Sequence, residues 1–122
     1  MKNILSTATK VAAVALAAST LSFAGPGLAD GAAKFIGNIT QSNSVGSDFT
    51  ALWNQATAEN GCKWGSVEGT RGRYNWGACD AAYNWAKQNG GHFKFHALVW
   101  GSQYPNWLNG LSTDETKKAI TA

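Results

Sequence analysis

The sequence predicts an α/β fold with a parallel sheet, and three observations support this prediction. Short segments of strand character alternate with segments of helical spacing, in the order βαβαβα. The third strand follows the helix-ending run Asn89-Gly90-Gly91. Polar and aromatic side chains collect directly after the second and third strands. Functional groups of parallel sheets gather at the carboxyl ends of strands, so both clusters are expected at one edge.

The first half of the predicted domain contains two strands and a short helix. Residues 35–39 form a short apolar run and are the predicted first strand. Asp48 is a candidate N-cap for a helix over residues 49–54, whose apolar side chains recur at helical spacing. Residues 55–59 are the predicted second strand. Their strand propensity is low, so this prediction depends on their position between the two helices.

The second half begins with a polar, glycine-rich loop over residues 60–75, which is long for a compact domain and therefore a candidate functional loop. Asp80 is a candidate N-cap for a helix over residues 81–88, which the two glycines that follow are expected to end. Residues 93–99 then alternate in polarity as the third predicted strand.

A further helix is predicted to begin after Ser112. Ser112 and Glu115 have the three-residue spacing of a capping box, in which each side chain bonds the other residue's backbone N–H. The charged residues that follow in this helix are interpreted as a solvated surface.

The N-terminal segment has the pattern of a secretory signal peptide. A basic start is followed by the uncharged, alanine-rich residues 11–23 and then by small residues. Residues 1–29 are predicted to be the signal, with cleavage after Ala24 or Ala29, and residues 30–122 the exported domain. The predicted location is extracellular. A membrane-anchoring helix is the less favoured alternative, because the apolar run is short and a Gly-Pro-Gly run follows it.

The charge of the exported domain excludes some partners. The chain has 10 Lys and Arg against 7 Asp and Glu, a net charge of +3. Lys2 and Lys10 lie in the predicted signal, which leaves eight against seven and a net charge of +1. No basic cluster typical of nucleic-acid binding remains. We expect a monomer without nucleic-acid or membrane partners, and a neutral ligand such as a polysaccharide.

Cys62 and Cys79 allow one intramolecular pairing. Export permits a disulfide, which would close a loop of about 17 residues and stabilise the domain by about 3 kcal/mol. Two free thiols are the alternative. Neither cysteine combines with His92 or His96 at metal-ligand spacing, so no metal ion and no cofactor are expected.

Side chains suited to sugars follow the third predicted strand. Aromatic faces stack on the C–H faces of pyranose rings, and amides and imidazoles bond hydroxyls. The candidates are His96, Trp100, Ser102, Gln103, Tyr104, Asn106 and Trp107. Residues 59–64, after the second strand, are a second contributor. Simpler alternatives remain: a surface ion pair between Glu59 and Lys63, a core histidine at His96, and Trp100 packed beneath the sheet edge.

The remaining tryptophans and loop charges have a structural interpretation. Trp53, Trp76 and Trp85 lie on or beside predicted helices and are assigned to the core. The charged residues of the long loop are interpreted as loop-ordering groups on a solvated face. They are Glu68, Arg71 and Arg73.

Three motifs together resemble a known family. They are E-N-x-x-K-W-G at residues 59–65, R-G-x-Y-N-W at residues 71–76 and H-x-L-V-W at residues 96–100. From about residue 35 onward the chain resembles the N-terminal part of glycoside hydrolase family 10, the endo-1,4-β-xylanases. The resemblance implies about three βα units of a (β/α)8 TIM barrel. It also implies hydrolysis of internal β-1,4-xylosidic bonds of xylan with retention of configuration.

The resemblance also assigns roles to residues. Six of them match family residues that bind xylose on the non-reducing side of the cleaved bond: Glu59, Asn60, Lys63, His96, Trp100 and Gln103. The sequence departs from the family pattern at Ala58, where proline is usual, and at Gly101, where many members have a second histidine. Cys62 and Cys79 are also unusual for the family.

The catalytic pair of the family is not expected within this sequence. Retaining hydrolysis uses two carboxyl groups about 5–5.5 Å apart. In the family the acid/base glutamate follows the fourth strand and the nucleophile ends the seventh, beyond the three units predicted here. The chain alone is therefore predicted to be inactive. The alternatives are a non-catalytic carbohydrate-binding secreted domain and a disulfide-tied structural domain without a sugar site.

Overall fold

The structure, a computed structural model, describes residues 27–122. The predicted signal up to residue 26, including the cleavage position after Ala24, lies outside the described residues. Within residues 27–122, no helix has the length and apolar character needed to cross a membrane. The elements are β1 (Gly37–Thr40), α1 (Phe49–Leu52), β2 (Gln55–Ala58), α2 (Trp64–Val67), α3 (Gly77–Asn89), β3 (His92–Phe93), a 3-10 helix (Asn106–Gly110) and α4 (Thr113–Thr121).

The three strands form one parallel sheet in the order β1-β2-β3. In the register of the first pair Gly37 lies opposite Gln55, and in that of the second pair Gln55 lies opposite His92. Neighbouring parallel strands require a crossover connection. Here α1 lies between β1 and β2, and α2 and α3 lie between β2 and β3. The predicted α/β class with a parallel sheet is confirmed.

The core lies between the sheet and α3. Side chains alternate between the two faces of a strand, so Ala56 and Ala58 share the face that packs against α3. Both alanines are completely buried because Trp85 and Ala82 of α3 cover this face. The buried cluster is small. It comprises Phe49, Ala56, Ala58, Cys62, Cys79, Ala82, Trp85 and Ala86.

The opposite face of the sheet is polar and only partly covered. Gln55 and Thr57 alternate with the buried alanines, and the Gln55 amide donates a hydrogen bond of 2.7 Å to the Thr57 hydroxyl. A cavity of about 360 Å³ opens on this face, and Lys94 and His96 contribute to its lining. The sheet therefore presents an apolar face to α3 and a polar face to solvent.

The strand predictions were correct in position and wrong in length at the third strand. The prediction of strand over residues 93–99 fails after Phe93, because β3 comprises only His92–Phe93. One further backbone bond, from Lys94 N–H to the Ala56 carbonyl at 3.0 Å, continues the pairing with β2. Among the described residues no strand lies on the other side of β3. Alternating polarity alone does not fix the length of a strand, which also depends on backbone hydrogen bonds to a neighbouring strand.

The helix predictions were partly wrong. Asp80 is not a cap, because α3 begins at Gly77 and Asp80 lies in its first turn. The Gly77 N–H is instead accepted by the side chain of Asn75, at 3.2 Å. The predicted C-terminal glycine is confirmed: Gly90 has φ +65° and follows the last helical residue. The loop predicted over residues 60–75 contains a helix of one turn, α2.

The predicted capping box of α4 is present. The Ser112 hydroxyl accepts from the Glu115 N–H at 3.4 Å, and the Glu115 carboxylate accepts from the Ser112 N–H at 2.9 Å. The hydrogen bonds from the Ser112 side chain and backbone hold the pKa of Glu115 below its usual value, since both favour the charged form. Asp48 precedes α1 as predicted, but its side chain makes no capping hydrogen bond.

Candidate functional site

The site forms at the edge where β2 ends. Glu59 and Asn60 follow directly after Ala58, the last residue of β2. The Glu59 N–H donates to the Thr40 carbonyl at 2.9 Å, so the end of β1 fixes the backbone there. The two polar clusters predicted at carboxyl strand ends meet here through hydrogen bonds from Gln103 to Asn60 and from Lys63 to Gln103, although β3 itself ends three residues before His96.

Lys63 is at the centre of a hydrogen-bonded network. Its ammonium donates to the side-chain oxygen of Asn60 at 2.9 Å and to that of Gln103. The Gln103 amide also donates to the Asn60 oxygen at 2.9 Å. The Lys63 Nζ lies 5.0 Å from the centroid of the Trp100 ring, in cation–π range. Residues 40 positions apart in the sequence thus form one polar surface.

Lys63 is 7% exposed although it carries a charge. Its partners are two neutral amide oxygens and one aromatic ring, with no carboxylate among the contacts described above. An ammonium group has three N–H donors, and the two amides use two of them. Lys63 is therefore a cation held by neutral amides beside an aromatic ring, a setting that suits a neutral, hydroxyl-bearing ligand.

Trp100 and His96 form the aromatic side of the site. Their rings lie 5.4 Å apart with planes inclined by 64°. Trp100 is 48% exposed, so a broad apolar surface is accessible beside the Lys63 network. His96 is half-buried and lines the cavity on the polar face of the sheet. The alternative in which His96 is a fully enclosed core residue does not describe this structure.

Two further structural features bring Gln103 to Lys63. Gln103 has φ +53°, in the left-handed region that non-glycine residues rarely adopt. Its carbonyl accepts from the Gly65 N–H at 2.9 Å, and a Cβ on Gly65 would lie 2.6 Å from that oxygen. Only glycine at position 65 permits this approach. The start of α2 therefore positions the loop after β3.

Glu68 is more buried than the sequence predicts. It was predicted to order the loop from a solvated face, but its side chain is 6% exposed. One carboxylate oxygen accepts from the Trp64 indole N–H at 2.7 Å and the other from the Gly72 N–H at 2.7 Å. Its carbonyl accepts from the Trp107 indole at 2.8 Å. Glu68 therefore joins Trp64 and Gly72 of the loop after β2 to Trp107 of the 3-10 helix. The ordering role fits these contacts and the solvated face was wrong.

The other predicted aromatic residues have different roles: some lie near the site, and others support the loop or lie on the surface. Trp107 is half-buried, packs edge-on against Trp64 at 5.7 Å and has the Arg71 guanidinium 5.3 Å from its ring, so it supports the loop. Tyr104 is 42% exposed near the site. The assignment of Trp76 to the core was wrong: it is 42% exposed and stacks on Tyr74. Trp85 is buried as predicted.

The hydrogen-bonded network joins three of the six predicted site residues, Asn60, Lys63 and Gln103. Glu59 is the one carboxylate among the six, and it is half-buried at the strand end next to Asn60. Among the described residues, no group of three or more metal-ligating side chains is assembled. The arrangement has the chemistry of a binding surface for hydroxyl groups.

Cys62 and Cys79 are joined by a disulfide with a Cα–Cα distance of 4.7 Å. Cys62 precedes Lys63, and Cys79 lies in the first turn of α3. Both are buried. The bridge therefore anchors the loop that presents Lys63 to the helix that covers the sheet.

We expect Glu68→Ala to lower the free energy of unfolding by about 2 kcal/mol, because it removes the buried acceptor of the part-buried hydrogen bonds from Trp64 and Gly72. Glu68→Gln keeps one acceptor oxygen and should cost less. Chemical denaturation followed by tryptophan fluorescence measures both. Asp114→Asn is the matched carboxylate-to-amide control, since its side chain is 86% exposed on α4. Equal midpoints for Glu68→Gln and Asp114→Asn would contradict the structural role of Glu68.

The known proteins that this chain resembles belong to one family. The family model described as glycosyl hydrolase family 10 matches residues 20–122. Endo-1,4-beta-xylanase B of Cellvibrio japonicus (strain Ueda107) is 59% identical over 89 residues, which are 73% of this chain and 15% of that protein. Endo-1,4-beta-xylanase 3 of Hypocrea jecorina is 41% identical over 66 residues, which are 54% of this chain and 19% of that protein. The chain thus spans less than a fifth of the length of these two relatives.

Solved structures agree on the fold. An endo-β-1,4-xylanase of glycoside hydrolase family 10 from Gloeophyllum trabeum superposes with a TM-score of 0.64 at 20% identity, over 71% of this chain and 30% of that chain. A psychrophilic family 10 endo-β-1,4-xylanase superposes with a TM-score of 0.63 at 27% identity, over 70% and 30%. The prediction of about three βα units from a (β/α)8 barrel is confirmed.

Proposed function

Because the chain belongs to glycosyl hydrolase family 10, we propose that it is the N-terminal, xylose-binding part of an exported endo-1,4-β-xylanase. Its reaction is the hydrolysis of internal β-1,4-xylosidic bonds of xylan. The observation that carries the proposal is the network in which Lys63 joins Asn60 and Gln103 beside the exposed Trp100 ring. The xylanase relatives and family 10 structures described above support the same substrate class.

The network suits a xylose unit on physical grounds. Xylan is uncharged along its backbone, and the Lys63 network offers a cationic donor and amide groups to hydroxyls without a charged acceptor. The Trp100 face supplies the apolar surface on which a pyranose ring stacks. Asn60 and Gln103 hold the ammonium in place, so little side-chain freedom is lost when a sugar binds. Glu59 and His96 are the proposed flanking contacts.

The chemical step requires groups outside these three units. Retaining hydrolysis uses one carboxylic acid and one carboxylate about 5–5.5 Å apart. Glu59 is the one carboxylate among the six proposed binding residues, and it is proposed to bind sugar. We therefore place the acid/base and the nucleophile in the further βα units of the complete barrel, with retention of configuration as in the family.

The apolar groove beside the site is the proposed contact for those units. It has a volume of about 710 Å³, and Leu98 and Val99 in its lining are 73% and 55% exposed. Its lining comes from the loop after β2, the segment after β3 and the end of α4. The described part of the chain covers about 30% of the solved family structures, so most of a barrel is left to cover this face.

The export proposal rests on the sequence. A signal that ends at Ala24 or Ala29 is proposed, and the domain that follows it is proposed to act outside the cell as a monomer on xylan or xylo-oligosaccharides. A disulfide between buried cysteines is compatible with an oxidising compartment.

Titration of the purified chain with xylotriose, followed by NMR amide shifts, tests the binding site. We expect shifts at Lys63, Trp100 and Gln103. Trp100→Ala and His96→Ala should each weaken binding by about tenfold, as the loss of a stacking or hydrogen-bonding partner does. Trp76→Ala is the matched control, because Trp76 is similarly exposed and lies outside the site. Unchanged affinity in folded Trp100→Ala and His96→Ala, or no shifts in the wild type, would contradict the proposal.

A further inference from the structure

The first described residues are docked on the fold at the end opposite the site. Residues 27–30, here called the strap, lie against residues 52–54, which precede β2. The Leu28 N–H donates to the Leu52 carbonyl at 3.2 Å, and the Ala29 N–H donates to the Asn54 side chain at 3.2 Å. The Asp30 N–H closes a turn onto the Gly27 carbonyl at 3.2 Å. The strap is thus held by hydrogen bonds that its own backbone N–H groups donate.

Gly27 fits its position only as glycine. Its φ of +93° lies in the left-handed region that L residues rarely adopt. A Cβ at this position would lie 2.7 Å from both the backbone N and the backbone C of Trp53. Backbone atoms cannot move aside as a flexible side chain can. The close approach of the strap to residues 52–54 therefore depends on Gly27.

Asn54, the acceptor for the strap, connects all three strands at their N-terminal ends. It is 1% exposed. Its backbone N–H donates to the Ile36 carbonyl at 2.9 Å, just before β1, and its carbonyl accepts from the His92 N–H at 2.7 Å, at the start of β3. The strap therefore contacts the residue that closes this end of the sheet.

We propose that the strap belongs to the mature protein, and that the leader is removed upstream of it, after Ala24 and not after Ala29. Both positions offer small residues at the first and third places before the bond, Ser22 and Ala24 in one and Gly27 and Ala29 in the other. A leader peptidase would hydrolyse the Ala24–Gly25 peptide bond with one water, giving a carboxylate on Ala24 and an amine on Gly25. This inference rests on the proposed export signal.

Cleavage after Ala29 would remove contacts that the fold uses. It would delete Gly27, Leu28 and Ala29, and with them the hydrogen bonds to Leu52 and Asn54 and the turn to Asp30. It would also place a charged amino terminus at Asp30.

The first test is the N-terminus of the exported product. The full 122-residue chain is expressed in a secreting bacterial host, and the product in the medium is identified by intact mass and N-terminal sequencing. We expect a chain beginning at Gly25. An exported chain that begins at Asp30 would overturn this inference and leave the export proposal intact. A chain that stays in the cell with Met1 would overturn both.

The second test measures the docking itself in chains beginning at Gly25. Gly27→Ala is compared with Gly31→Ala, since Gly31 has a similar φ of +74° but open space where a Cβ would lie. The two substitutions share the backbone penalty and differ in the clash with Trp53. We expect Gly27→Ala to lower the melting temperature by at least about 5 °C more than Gly31→Ala. Equal melting temperatures would show that the strap is not docked, and would overturn the inference.

Discussion

The purified 122-residue chain is expected to release no reducing sugar from xylan. The reason is that the site has too few side-chain carboxyl groups for the reaction. Of the seven in the chain, Glu59 and Glu68 belong to the loop that forms the site. Both oxygens of the Glu68 carboxylate already accept hydrogen bonds, and the side chain is buried. Glu59 alone cannot serve as both nucleophile and acid/base, and the retaining mechanism needs the two together.

The comparison that isolates this effect is a chimera. The chain is joined to the remaining barrel units of the Cellvibrio japonicus xylanase B, to which it is 59% identical over the matched residues. We expect the chimera to hydrolyse xylan and the chain alone to show none of this activity. The loss of both catalytic carboxyls should amount to many orders of magnitude in rate. The barrel units of the relative without this chain are the control.

Each result has a distinct meaning. Hydrolysis by the chain alone would contradict the proposal that catalysis depends on further barrel units. An inactive chimera whose isolated chain still binds xylotriose would favour the alternative of a non-catalytic carbohydrate-binding domain.

Replacement of both cysteines by alanine is expected to lower the free energy of unfolding by about 3 kcal/mol, the loop-closure term for a bridge across 17 residues. The effect is large for this chain because the buried cluster of eight residues includes four alanines. Small domains are marginally stable, with total stabilities of roughly 5–15 kcal/mol at most. Urea denaturation of the Cys62→Ala/Cys79→Ala variant against wild type measures the difference.

Reduction provides the control for the disulfide prediction. A reductant should lower the stability of the wild type towards that of the double variant and leave the double variant unchanged. Equal unfolding midpoints for oxidised wild type and double variant would contradict the prediction. Because Cys62 precedes Lys63, we also expect the amide of Lys63 to exchange faster in the double variant, a local effect that hydrogen exchange resolves.

The sequence predicted the local elements well where local forces decide them. The capping box of Ser112 and Glu115 and the glycine end of α3 depend on contacts within a few residues, and both are present. The parallel direction of the strands was also predicted, since neighbouring parallel strands need a crossover connection and helical segments separate the strands in the sequence. The family motifs were read from residue identity and spacing, and they led to family 10.

The sequence by itself determined the fold class, the family and the residue types of the site, because these follow from periodicity and from local motifs. Only the tertiary structure decided that Lys63 is buried against Asn60, Gln103 and Trp100. It also decided that Glu68 is buried between two loops and that β3 ends at Phe93. The burial of Lys63 and Glu68 depends on contacts with residues tens of positions away. The length of β3 depends on its pairing with a neighbouring strand. No local pattern encodes them, since the partners meet only when the chain folds.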